Sequence, residues 1–165
     1  MNAEAAHLIS KLKMVPLPGE GGFFVPTWTS REKRPDGRAL GSAILFLITG
    51  EDFSALHRLG MEEVWQFSAG DPAELVRIDP RTRSCIACVL GPDVGGAHAP
   101  QAVVASGNWQ GARILPGGLP AARGWTLFGC TVAPAWDERD CELGRREALL
   151  REFPEHASVI RALTR

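Results

Sequence analysis

From about Gly21 to Pro134 the chain is a succession of short apolar runs closed by glycine or proline: "GGFFVPTWT", "SAILFLIT", "EVWQFSA", "AELVRID", "CIACVL", "QAVVASGNWQGARIL" and "WTLFGCTVAP". Each is rich in Val, Ile, Phe, Trp or Thr, the residues that suit a pleated, half-buried surface. Little helical pattern separates them, so parallel strands joined by helical crossovers are disfavoured. An antiparallel sandwich or barrel is the architecture left. Helical spacing shows only at the ends. Leu8, Ile9 and Leu12 share one face before "PLPG" stops the segment. Near the other end Leu149, Leu150 and Phe153 precede Pro154, followed by Val159, Ile160 and Leu163. The expectation is a single all-β domain over 1–165: a short N-terminal helix at about 3–13, a β-barrel at about 20–137 and C-terminal helices at about 143–164.

Composition narrows the function classes. An apolar share of 45%, a charged share of 22% and a net charge of −1 are those of a soluble globular chain. With acids and bases interspersed, nothing calls for nucleic acid or an anionic membrane. The longest apolar run, "ALGSAILFLIT", is too short for a bilayer, and "MNAEAAHLISKLK" lacks a signal-peptide core, so the cytoplasm is the expected location. Cys85 and Cys88 form a C-x-x-C without a second pair at finger spacing. On a strand, residues three apart face opposite ways, so reduced structural thiols are expected.

The stretch "HRLGMEEVWQFSAGD" from His57 to Asp71 carries the chemistry. Its spacing follows G-x5-H-x-H-x3-E-x6-G, with His57, Glu63 and Gly70 in place. Leu59 stands where the second histidine belongs, and the leading glycine is displaced to Gly50. A second pattern, P-x-G-x2-H-x3-N, aligns on "ASGNWQGARI", with Gly107 kept, Ala105 for proline, Gln110 for histidine and Ile114 for asparagine. These are the two motifs of the cupin superfamily. From about Pro18 to Leu143, "PGEGGFF", "FSALHRLGMEEVW", "AGDPAEL" and "WTLFGCTVAPAW" closely resemble the Cupin_5 (DUF985) family, whose members are labelled predicted sugar epimerases.

That resemblance implies an RmlC-like jelly-roll barrel, often a homodimer, with a small-molecule pocket inside. Val25, Gln66 and Ala105 depart from the residues expected of the family near the first strand, after the tryptophan and at the turn.

Several readings of the site stay open. Glu63, Trp65 and Phe67 share one strand face, and His57 stands across a turn from Glu63, so His57 oriented by Glu63 is a candidate proton acceptor. Trp65, Phe67 and Trp109 offer stacking surface, Gln110 a facing polar group and Arg113 a clamp for an anion. Against these stand simple core packing for the aromatics, a surface pairing for Arg113 and a merely structural His–Glu contact. No cofactor is expected. A divalent metal would have to use His57, Glu63 and Gln110, a poor set for metals that favour imidazole. The chain has no tyrosine, which excludes the histidine–tyrosine pair of the deoxysugar epimerases with this fold. The leading expectation is a metal-independent, isomerase- or epimerase-like enzyme on a carbohydrate or nucleotide-sugar. A non-catalytic small-molecule binder and a metal-dependent oxygenase or lyase are the alternatives.

Overall fold

The computed structural model describes residues 2–115 and 122–165. Helix α1 (Ala3–Leu12) is capped by the Asn2 side chain and ends at Lys13 in the left-handed conformation. Eleven strands follow among the described residues: β1 (Val15–Pro16), β2 (Phe23–Thr29), β3 (Ser42–Thr49), β4 (Ser54–Leu59), β5 (Glu62–Gly70), β6 (Ala73–Ile78), β7 (Cys85–Leu90), β8 (Gln101–Val104), β9 (Trp109–Ile114), β10 (Trp125–Ala133) and β11 (Cys141–Leu143). Helices α2 (Arg146–Glu152) and α3 (Ala157–Ala162) come last. The strands form two antiparallel sheets in the orders β1-β2-β3-β10-β5-β8 and β11-β4-β9-β6-β7. Among the described residues no helix is long and apolar enough to cross a membrane.

The period of two sorts every strand between three layers. On β3, Phe46 and Ile48 point between the sheets, where they join Trp65, Leu75 and Phe128, while Leu47 points outward to Ala5, Met14 and Trp125 beneath α1. On β6, Leu75 faces in, whereas Val76 and Ile78 face out to Leu149, Phe153, Ile160 and Leu163 of the C-terminal helices. Each terminal helical segment therefore covers the back of one sheet. The barrel centre is fixed by aromatics, with Trp65 edge-on to Phe46 at 5.7 Å and to Phe128 at 5.2 Å between centroids.

The same alternation decides the cysteines. Cys85 packs with the outer cluster and Cys88 with the inner one, and all four cysteines are free. The run "QAVVASGNWQGARIL" divides into β8 and β9, which lie in different sheets. Gly107, at φ +80°, makes the turn between them.

Candidate functional site in the barrel

A cavity of about 610 Å³ opens between the sheets, bordered by His57 and Leu59 of β4, Glu63 and Trp65 of β5, Cys130 of β10 and Cys141 of β11. Strand β4 is held on both sides, by β9 and β11. Its backbone is tied further by Leu56 N–H donating to Leu163 O (2.7 Å) and Gly144 N–H donating to Leu56 O (2.6 Å). His57 thus sits on a braced strand and is 3% exposed.

Gln110 organises the polar wall. It is 1% exposed and stands behind the cavity on the inward face of β9. Its Oε1 accepts from Trp65 Nε1 at 3.0 Å. Its Nε2 lies 2.5 Å from Glu63 Oε2 and 3.1 Å from His57 Nε2. An indole N–H can only donate, so the Gln110 oxygen must face Trp65 and its two amide protons must serve Glu63 and His57. It follows that His57 Nε2 accepts and Nδ1 carries the proton, donated to Ala55 O at 2.9 Å. Both ring nitrogens are then engaged, and the lone pair expected to take a substrate proton is occupied by Gln110.

Glu63 is the site's titrating group. Burial pushes its pKa up from 4.5 to about 7, and the Glu20 charge adds to the rise. The neighbouring His57 ring and hydrogen bonding from Gln110 and Trp65 oppose it without cancelling it. Burial also drives the Cys130 thiol well above its usual value, so it stays protonated.

Glu20 was not singled out in the sequence. It projects into the cavity from "PGEGG", where its Oε1 accepts from Ser54 Oγ at 2.7 Å and lies 3.8 Å from His57 Nδ1. The loop holding it needs glycine: Gly21 and Gly22 have φ +99° and +70°, and a Cβ on Gly21 would fall 2.5 Å from Phe53 O. Asp52 accepts from Gly22 N–H at 2.8 Å and from Arg165 Nη2 at 2.6 Å, while Arg165 also donates to Glu20 O at 3.2 Å. Trp28 and Trp136, both about half exposed, border the cavity at its mouth and were likewise missed. Glu20 and Trp136 lie within the stretches that resemble the family, in "PGEGGFF" and "WTLFGCTVAPAW", and a lone acid among glycines is the faint signal that marks the first, while Trp28 carries none.

Three expected ligand contacts lie elsewhere. Gln110, Ala112 and Ile114 of β9 face in, so Trp109 and Arg113 face out. Trp109 packs under the C-terminal helices with Arg58 stacked on its ring at 4.7 Å, and Arg113 Nε donates to Glu74 Oε2 at 2.8 Å. Phe67 shares the face of Glu63 and Trp65 but packs into the inner core without bordering the cavity. Arg113→Ala is expected to change stability by under about 1 kcal/mol and leave ligand binding unchanged, as measured by denaturation and titration.

The residues do not suit a catalytic metal. Leu59 offers no donor, His57 Nε2 is taken by Gln110, and the Gln110 oxygen points at Trp65. Among the described residues no group of three or more His, Cys, Asp or Glu converges on one point.

The family model Cupin_5, described as "Cupin superfamily (DUF985)", matches residues 6–144. The chain belongs to the Cupin_5 family. A Shewanella oneidensis protein of known structure is 32% identical over 100% of this chain and 98% of its own, with a TM-score of 0.87. A hypothetical protein from Leishmania major is 31% identical over 99% of each chain, with a TM-score of 0.88. More distant is a dTDP sugar isomerase from Desulfovibrio desulfuricans G20, 16% identical over 86% of this chain and 83% of its own, with a TM-score of 0.55. It shares the fold with this Cupin_5 chain, as does oxalate decarboxylase from Bacillus subtilis at 12% identity, TM-score 0.57, over 92% of this chain and 38% of its own. No curated protein matches the chain.

Proposed function

We propose that this Cupin_5 protein binds a small polar molecule in the barrel and transfers a proton to or from it through Glu63, in isomerase- or epimerase-like chemistry without a metal. The observation that carries this is Glu63 itself: a carboxyl at the cavity wall, 7% exposed, anchored by Gln110 and poised to change protonation at about pH 7. In this reading the proton-acceptor role expected of His57 passes to Glu63. His57 orients Gln110, whose amide hydrogen bond holds the carboxylate in place and favours its ionised form. Besides His57, the other ionisable side chains bordering the cavity are Glu20, Glu138, Cys130 and Cys141.

The second reading, a non-catalytic binding protein, is favoured by one feature. Gln110, His57 and the Trp65 N–H satisfy one another fully, as a purely structural network would.

The two separate by exchange. Wild-type protein is incubated in deuterated water with aldoses, ketoses and amino sugars, and carbon-bound deuterium is followed by proton NMR. Incorporation at a carbon next to a carbonyl, lost in Glu63→Gln, is the expected result. Saturable binding without incorporation would leave the binder.

A further inference from the structure

Resting on that reading of the cavity as a binding site, we propose that its ligand is a small organic cation, an amine or ammonium compound, rather than a phosphate or carboxylate. The charged side chains bordering the cavity are Glu20, Glu63 and Glu138, with no lysine or arginine among the described lining residues. Composition does not explain this, since the chain holds 18 Lys and Arg against 19 Asp and Glu. Among the described residues, the nearest basic group on the wall is His57, whose ring is already committed to Ala55 and Gln110.

An anion entering here would shed its water beside the buried Glu63 and the part-buried Glu20 and find no guanidinium or ammonium on the described wall in return. The diphosphate of a dTDP-sugar meets the same obstacle. A cation gains from the same arrangement, because the buried Glu63 and the part-buried Glu20 both border the sheltered interior of the cavity, with the exposed Glu138 adding negative charge at its edge. The aromatics agree with the charge. Trp28 and Trp136 border the mouth, 51% and 53% exposed, and Trp65 forms part of the inner wall. Indole faces carry negative potential and attract ammonium groups, most strongly where water is excluded. A volume of about 610 Å³ suits a molecule of metabolite size.

The test uses the whole chain and two matched series of probes: cyclohexylamine, cyclohexanol and cyclohexyl phosphate, then phenethylamine, phenylethanol and phenethyl phosphate. Each is titrated calorimetrically at pH 8 into wild type, Glu20→Gln, Glu63→Gln and the cavity-filling variant Ile44→Trp, at an inward-facing position of β3 that borders the cavity. At least one amine is expected to bind wild type more tightly than its alcohol, with its phosphate not binding. Each carboxylate-to-amide change should weaken that amine by about tenfold or more. Amine binding indifferent to both Glu variants would overturn the proposal. An alcohol or phosphate that outbinds its amine, and is lost in Ile44→Trp, would overturn the charge class while leaving the cavity a binding site. No binding by any probe would sink both.

Discussion

Glu63→Gln is expected to make the protein more stable at pH 8 while abolishing the proposed proton transfer. In the wild type the Glu63 carboxyl has a pKa of about 7 when folded against an ordinary value of 4.5. Below pH 4.5 it is protonated in both states and costs nothing. Between 4.5 and 7 the unfolded chain has released its proton and the folded chain has not, so stability falls as pH rises. Above about 7 the loss is complete, at roughly 3 kcal/mol. The amide removes the charge but keeps the shape, and its oxygen can still accept from Gln110. For a chain of this length the gain corresponds to a melting point roughly 6–12 °C higher at pH 8, shrinking towards zero near pH 4. Thermal denaturation of both proteins across that range checks it. A variant less stable than wild type at pH 8 would mean that the buried carboxylate is a net asset.

Gln110→Leu should have the opposite sign and a comparable size. The leucine nearly fills the space but leaves three groups without their partner: Trp65 Nε1, His57 Nε2 and Glu63 Oε2. Water from the cavity can reach the last two in part. It cannot easily reach the indole, since Trp65 is 1% exposed and locked between Phe46 and Phe128. One orphaned buried donor and two weakened acceptors amount to about 3 kcal/mol. Because the amide hydrogen bond favours the ionised carboxylate, its loss should also carry the Glu63 pKa higher, making the variant relatively worse at pH 8 than at pH 5. Urea denaturation at those two values measures both effects. Equal losses at the two would show that Gln110 does not govern Glu63.

The fold was legible because its signals are local and repeated. Alternation within each run, glycines between runs and a helical period at either end follow from sterics and burial alone. Strand β4 was harder to see, since "SALHRL" has no β-branched residue and becomes a strand by being clamped between β9 and β11. The family motifs singled out His57, Glu63 and Gln110 but set Gln110 on a facing wall, whereas it lies on the strand beside His57 and hydrogen-bonds to both partners. Spacing could not say which face of β9 turns inward, and that choice sends Trp109 and Arg113 outside. Nor could it show that Gln110 would spend the histidine's lone pair. Glu20 enters the cavity through a contact between segments far apart in the chain, Ser54 Oγ meeting its carboxylate, and pattern reading carries no such information.

The loop that delivers Glu20 rests on Asp52 and Arg165, and neither borders the cavity. The direction of one wall group is thus written partly in a turn after β3 and partly in the tail beyond α3. Because these contacts grip the backbone of residues 20 and 22, the side chain at position 20 can be exchanged without matching changes at 52 or 165. The aim of that wall position and its chemistry are therefore separable: one is set from the turn and the tail, the other by residue 20 alone.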